Sequence, residues 1–307
     1  MIKRTLYFGN PAYLSMSYGQ MIVKNPGEEE ISSDSQQETK TRSVPIEDVG
    51  VVVLDNKQIT LTQGLLEMLL DNNCAVITCD SKHMPIGLML PLSGHTIQNE
   101  RFRDQLGASV PLKKQLWQQT VQAKIRNQAA VLEFVNGFPA SNMLAWSNAV
   151  RSGDTDNMEA RAAAFYWKNI FPDTCGFVRN QDGDGLNALL NYGYAILRSV
   201  VARSLVCCGL LPTLGIHHHN RYNAYCLADD IMEPYRPYVD RLVYQISVDN
   251  PAALLNTKTK TILLGLPVVE VVINGNRSPL MNAAFQTASS LVKCFSGETR
   301  KIAYPYL

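Results

Sequence analysis

The 307 residues carry 28 Lys/Arg against 27 Asp/Glu, a net charge of +1, and are 46% apolar and 18% charged. That is the balance of a soluble protein with a sizeable core, long enough for one large domain or two ordinary ones. No run approaches the roughly 18–20 uninterrupted apolar residues that a membrane helix needs, which argues against a membrane protein.

The start, MIKRTLYFGNPAYLSMSYGQ, lacks the apolar stretch of a secretory signal. Cys74, Cys79, Cys175, Cys207, Cys208, Cys226 and Cys294 are scattered and contain no C-x-x-C pair. This fits reduced thiols in a core better than a disulfide frame or a zinc knuckle, so a cytoplasmic protein is expected. The near-zero net charge hides an asymmetry. Residues 1–99 hold 7 Lys/Arg and 11 Asp/Glu, whereas residues 100–307 hold 21 and 16. A basic second half is compatible with phosphate binding.

In chain order, the first hundred residues read as β-rich. Thr5–Phe8, Met21–Val23, Val49–Leu54, Ala75–Thr78 and Ile86–Leu90 are short apolar or β-branched runs bounded by Gly, Pro, Asn or Asp. The polar segment Asn25–Ser43 reads as a hairpin tip or mobile loop, and Thr62–Asn72 as a helix. From Asn99 the pattern turns helical. Helices are expected over Leu112–Phe134, Asn157–Phe171, Gly185–Leu210 and from Ser278-Pro279 to Phe295, the last opened by a cap and a first-turn proline. The expected organisation is α+β and multi-domain: a small N-terminal β-rich domain (1–95), a linker (96–100), and a larger all-α catalytic domain (101–307).

The densest chemistry lies at Gly215-Ile216-His217-His218-His219 and Asp229-Asp230-Ile231-Met232-Glu233-Pro234-Tyr235-Arg236-Pro237, three histidines and three carboxylates within 17 positions. Imidazole and carboxylate donors suit Mn²⁺ or Mg²⁺ better than a thiolate-loving structural zinc. Adjacent histidines diverge, so one or at most two of the three reach one ion. Asp230 and Glu233, three apart, share a side on a helical turn. Asp229 and Asp230 have a plainer use as acids at a helix start. Glu159 stands on a helix rich in small residues; it is either a buried carboxylate needing a cation or a first-turn acid favoured by the helix dipole. The Gly/Asp loop Asp182–Gly185 opens a long helix but lacks the distal Glu of a calcium loop. Beside it, Arg179 and Asn187 are placed to hold a phosphate or to organise the site. There is no glycine-rich phosphate loop and no G-x-S-x-G nucleophile elbow, which speaks against a nucleotide cofactor and against acyl transfer.

Glu159, the Gly-Ile-His-His sequence and the Asp-Ile-Met-Glu-Pro-Tyr-Arg-Pro segment together resemble the CRISPR-associated adaptation integrase, the universal spacer-acquisition nuclease family. The resemblance extends to Val44–Gly50 and Asp184–Tyr194, and the terminal Gly297-Glu298-Thr299-Arg300 is similar to the type II branch. It implies that Glu159, His218 and Glu233 are the catalytic ligands of Mg²⁺ or Mn²⁺, with Asp230 at the position of an additional acid; Arg179, Asn187 and Arg236 are candidate supporting residues. The extra histidine leaves the register open between His217, His218 and His219. The implied reaction is attack of a prespacer 3′-OH on a phosphodiester of the CRISPR repeat, a transesterification, together with endonuclease activity. The implied partners are double-stranded DNA (prespacer and repeat), a second copy forming a homodimer through the β domain, and a second, smaller adaptation protein. Lys113, Lys114, Lys124, Arg126, Lys258 and Lys260 are candidate DNA contacts from the basic half. The competing expectation is a non-catalytic DNA-binding scaffold of the adaptation complex.

Overall fold

The computed structural model describes residues 3–26, 42–172 and 177–307. The chain divides into two units, Met1–Leu92 and Ser93–Leu307. The first is built on strands. β1 (Arg4–Phe8), β2 (Ala12–Ser17), β3 (Gln20–Lys24), β4 (Arg42–Pro45), β5 (Val49–Leu54) and β6 (Ile59–Leu61) precede helix α1 (Gln63–Asp71), with β7 (Ala75–Cys79) and β8 (Pro85–Met89) after it. They form two four-stranded sheets, ordered β1-β5-β7-β8 and β4-β3-β2-β6.

In the first sheet β1, β5 and β7 run parallel and β8 closes one edge antiparallel. The unbroken apolar run Val49–Leu54 is the sequence of a strand covered on both faces, and all but its last residue are buried. Leu65 and Leu69 of α1 enter a core with Leu14, Met21, Ile46, Val52 and Val76. β3 and β4 pair antiparallel from Gln20↔Pro45 to Val23↔Arg42, so the polar segment expected as a hairpin tip does join two hairpin strands; its residues 27–41 lie outside the described residues. Strands β2, β4 and β6 were not expected. In β2 the buried Ala12 and Leu14 alternate with Tyr13 and Ser15, too short an apolar signal to stand out.

The second unit is dominated by helices. α2 (Gln98–Gly107), α3 (Val110–Asn136), α4 (Ser141–Ala149), α5 (Met158–Asn169) and α6 (Leu186–Cys207) come first. α7 (Cys226–Met232), a 3₁₀ turn over Glu233–Tyr235, α8 (Arg236–Asp249) and α9 (Thr257–Leu264) follow. A two-stranded antiparallel hairpin, β9 (Glu270–Ile273) and β10 (Asn276–Pro279), precedes α10 (Leu280–Phe295). This hairpin is the one departure from an all-helical unit among the described residues. Ser278 belongs to its second strand, so α10 opens after Pro279 without a serine cap.

The segment expected as a linker is partly helix: Gln98 to Glu100 form the first turn of α2, and the residues ahead of them fold with the helical unit. At Gly94 a side chain would lie 2.3 Å from the Val206 carbonyl, so the missing Cβ allows the chain to lie on the end of α6.

α6 is the axis of this unit, and 15 of its 22 residues are buried. Gly193 lets α8 approach, since a Cβ there would meet Val239 Cγ1 at 2.4 Å. α3 is capped by the Ser109 hydroxyl, opened by Pro111 and closed by Gly137 at φ +75°. It packs on α4, α5, α8 and the 3₁₀ turn, and so brings its middle, Lys124 to Gln128, beside the candidate residues. No helix among the described residues is long and apolar enough to cross a membrane.

Candidate active site

Glu159 sits in the first turn of α5, and its placement is local in origin. Asp154 turns its carboxylate back onto the helix start, accepting from Met158 N at 2.9 Å and Glu159 N at 3.0 Å. That capping leaves the Glu159 side chain free to point away. Glu233 begins the 3₁₀ turn between α7 and α8, where Pro234 and Pro237 stand in successive first turns and tighten an otherwise continuous helix. Asn127 of α3 fixes that turn from below. Its amide donates to Pro234 O at 2.7 Å and Pro305 O at 3.1 Å, and its oxygen accepts from Leu307 N at 3.2 Å.

The two glutamates, 74 positions apart in sequence, meet on one cation of the protein itself. Lys124 Nζ lies 2.6 Å from Glu159 Oε1 and 2.6 Å from Glu233 Oε2. Arg236 Nε lies 2.8 Å from Glu233 Oε1. Burial alone pulls the Lys124 pKa down, and the charges of Glu233 and Glu159 more than reverse this, so it ends raised. Burial likewise raises Glu233, but Arg236 and Lys124 outweigh it and hold the carboxyl at about 2. Both glutamates' cationic partners are therefore charged at neutral pH, as is Glu233.

His218 arrives on a tight loop. At Gly215 a Cβ would stand 2.3 Å from the His218 carbonyl oxygen and 2.8 Å from Asp230 Oδ2, so only glycine lets the loop fold back this closely. Asp230, fully buried, gathers the loop: it accepts from His217 N at 2.9 Å and His218 N at 3.3 Å, and it pairs with His218 Nδ1. That hydrogen bond raises the His218 pKa, against burial, which lowers it. With Nδ1–H held by the carboxylate, the neutral ring presents its Nε2 lone pair outward, the arrangement usual for a metal-binding histidine. Asp230 thus orients the histidine.

The three histidines take three environments. His217 stacks flat on buried Trp117, with ring centroids 4.1 Å apart and planes 1° off parallel. Its pKa is lowered, first by burial and then by the neighbouring His218. His218 lines the same cavity as Glu233 and Lys124. His219 lines a smaller neighbouring cavity with Lys113 and Arg221, which His218 also borders.

The cavity at His218 and Glu233 has a volume of about 660 Å³; Lys124, Arg179, Arg198 and Arg236 line it together with the carboxylates of Asp229, Glu233 and Asp240, and Trp167 and Tyr194 are flat apolar surfaces. Arg198 is held by two hydrogen bonds to Asp229, at 2.7 and 3.2 Å. Arg179 is held by Asn187 Oδ1 at 3.0 Å and Asn191 Oδ1 at 2.7 Å, and lies 5.4 Å from the Tyr194 ring centre. Asn187 also accepts from Asn180 N and donates to Val178 O, so it organises the loop that presents Arg179. Arg236 also lies over the Tyr194 ring, 4.7 Å from its centre. Asp240, buried but also lining this cavity, accepts from Tyr166 OH at 2.9 Å and from Tyr194 OH. Burial raises its pKa to about 6.

Among the described residues no three His, Cys, Asp or Glu side chains are drawn together closely enough to hold a metal ion as they stand. The donor set nevertheless fits one. Two carboxylates already converge on a single positive charge, the Lys124 ammonium, and an imidazole with an outward Nε2 lines the adjoining cavity.

Lys124, a candidate DNA contact in the sequence, does not stand on a solvated helix face: its side chain is only 12% exposed and bound to both glutamates. Lys260, read in the same way, is buried with its ammonium 5.3 Å from the Tyr192 ring centre. Arg198, Asn127 and Gln128 were missed. The only available hint was that α3 carries polar residues at Lys124, Asn127 and Gln128, the spacing of one helix face.

Residues 6–250 match the family of the CRISPR associated protein Cas1. The chain belongs to the Cas1 family. It is 39% identical over 247 residues to the CRISPR-associated endonuclease Cas1 of Neisseria meningitidis serogroup C (strain 8013), spanning 80% of this chain and 76% of that one. Among solved structures it is similar to a casposase bound to integration product, with a TM-score of 0.77 and 20% identity over 98% of this chain and 92% of that one. It is also similar to a chain of a Cas6-RT-Cas1–Cas2 complex, with a TM-score of 0.71 and 19% identity over 97% of this chain and 35% of that one. At those identities the structural likeness establishes the fold. A β-rich unit followed by a mostly helical one is thus the architecture of this Cas1-family chain.

Proposed function

We propose that this Cas1-family chain is a metal-dependent DNA endonuclease and integrase that inserts prespacer DNA into a CRISPR array by attack of a 3′-OH on a phosphodiester. The observation that carries this reading is the convergence of Glu159 and Glu233 on one positive charge at the edge of a cavity walled by three arginines. The endonuclease name of the Neisseria relative and the integration product held by the casposase support the same chemistry.

Glu159, Glu233 and His218 would hold Mg²⁺ or Mn²⁺, and the chemistry such an ion supplies is polarisation of a phosphoryl oxygen. The protein's own contribution is positional and electrostatic. Asp230 fixes the His218 ring and Asn127 fixes the turn that carries Glu233. Arg179, Arg198 and Arg236, each anchored by a neighbour, present fixed positive charge to phosphate oxygens. No nucleophilic side chain is required, because the substrate's 3′-OH, or water in the hydrolytic reaction, is the nucleophile.

The expected partners are duplex DNA, a second copy forming a homodimer, and the smaller adaptation protein; the similarity to a chain of a Cas6-RT-Cas1–Cas2 complex supports the last. Cytoplasmic location is part of the same reading. A strand-transfer assay with duplex prespacer, a supercoiled repeat plasmid and Mn²⁺ tests it: wild-type protein joins the strands, and Glu159→Ala or Glu233→Ala protein that integrates normally would overturn the site assignment.

One observation favours a second reading, a non-catalytic DNA-binding scaffold: both glutamates are already paired with Lys124. Titration calorimetry separates the two. Mn²⁺ binding that requires His218 supports the enzyme, and its absence supports the scaffold.

A further inference from the structure

Lys124 projects from the middle of α3 into the one place where both glutamates can be reached, and its ammonium touches both at 2.6 Å. A divalent ion held by Glu159 and Glu233 would compete with the ammonium for the same two carboxylates. One turn along the same helix face, Gln128 is 3% exposed, and its amide oxygen has no hydrogen-bond partner. A buried, unmatched acceptor costs roughly 1–3 kcal/mol, so an orphaned oxygen lining this cavity calls for a donor.

We propose that Lys124 is a resident counter-ion of the site: it holds Glu159 and Glu233 together in the metal-free protein, is displaced by the incoming divalent ion, and then donates to Gln128 Oε1. The inference rests on the metal-dependent reading above. It adds a built-in competitor that lowers apparent metal affinity and protects the apo site from electrostatic repulsion between its own carboxylates. The charge balance is explicit. In the apo state one ammonium and Arg236 face two carboxylates; after exchange the ion faces them and the ammonium remains in the cavity as a further positive charge. Competition for the same two carboxylates, rather than a general positive field, predicts that neutralising Lys124 acts differently from neutralising a neighbouring cation such as Arg198, which touches neither glutamate.

The test is titration calorimetry of the full chain with MnCl₂, paired with thermal unfolding in EDTA and in Mn²⁺. Lys124→Met is expected to bind Mn²⁺ about tenfold or more tighter than wild type, because the competing state is removed, and to unfold at a lower temperature in EDTA with much of that loss recovered in Mn²⁺. Arg198→Gln should change affinity by less than about threefold, as a screened cation at a distance would. Gln128→Met should weaken binding when Lys124 is present and have no effect in the Lys124→Met background. If Lys124→Met folds poorly, the Gln128→Met comparison in otherwise wild-type protein and the charge-keeping Lys124→Arg, expected to bind no tighter than wild type, still decide the matter.

Unchanged or weaker Mn²⁺ binding by a folded Lys124→Met would overturn the displacement. Wild-type binding that does not depend on Glu233 would instead overturn the metal site itself, so the two failures are distinguishable.

Discussion

Each of the two units holds an aspartate paired with the Nδ1 of a histidine at the edge of a cavity, and only one of these pairs lies in a cationic, carboxylate-bearing site. In the β-rich unit Asp55, at the end of β5, accepts from Tyr7 OH at 2.6 Å and pairs with His83 at 2.8 Å. The cavity beside it is about 670 Å³, as large as the one at His218. There the resemblance ends. Asp80, the other acid lining that cavity, accepts from the backbone N–H of Lys82 and Met84 and so shapes a turn. At His218 a second and third carboxylate converge on one charge, and three arginines form the wall. An Asp–His pair and a cavity of the right size are therefore insufficient by themselves; the concentration of anchored charge around the ring makes the difference.

The strongest way to break this comparison is to remove a carboxylate. Glu233→Gln and Glu159→Gln should each lower strand transfer by about 1,000-fold or more, since a metal ligand and the positioning of its ion are lost together; gel quantification of joined product measures this. Exchanging the orienting acids comes next. Asp230→Asn should weaken Mn²⁺ binding by about 10–100-fold, the usual consequence of removing the carboxylate behind a ligating histidine. Asp55→Asn should leave Mn²⁺ affinity unchanged and only lower the unfolding temperature. Equal effects on affinity from the two would erase the distinction drawn between the pairs.

How much of this was readable beforehand follows the range of the interactions. Helices α3 and α6 announce themselves through local signals, Gly137 at the end of one and the Gly185 opening of the other, whereas the Ser109 cap and Pro111 that start α3 lie ahead of the expected Leu112. The central strand β5 is legible as an unbroken apolar run. β2 and β6 are not, because half their residues face outward and the rest amount to two or three positions. In the site, Glu159, His218 and Glu233 were nameable from motif resemblance. The role of Lys124 was not, because its partners are 35 and 109 positions away and helix periodicity groups it with ordinary basic residues of α3. The part played by Asp230 was hidden for a similar reason: an acid at a helix start reads as a cap, and only the fold of the Gly215 loop brings the His217 and His218 N–H groups onto it.

Two smaller effects sharpen the electrostatic side of the comparison. Asp240 is raised from the usual 3.8 to about 6, so the folded state holds its proton more tightly than the unfolded one. Its contribution to stability is fully present below about pH 4 and is lost as pH rises through 6. Glu233 runs the other way: held at about 2, it stabilises above pH 4.5 and loses this as pH falls towards 2. Asp240→Asn should accordingly flatten the stability profile between pH 4 and 6 by roughly 2–3 kcal/mol, following 1.36 kcal/mol per unit, as read from urea unfolding across that range. Smallest of all, His217→Ala should cost about 1 kcal/mol of stability through the lost stack on Trp117 and leave Mn²⁺ affinity intact, whereas His218→Ala should reduce that affinity at least tenfold.

The most direct measurement of the central claim is a crystal structure of the protein grown with MnCl₂, with anomalous diffraction recorded at the manganese edge. The account predicts one strong peak between the Glu159 and Glu233 carboxylates and the Nε2 of His218, with the Lys124 ammonium moved off both glutamates. Manganese elsewhere, or Lys124 still bridging the two glutamates in protein that performs Mn²⁺-dependent strand transfer, would contradict it.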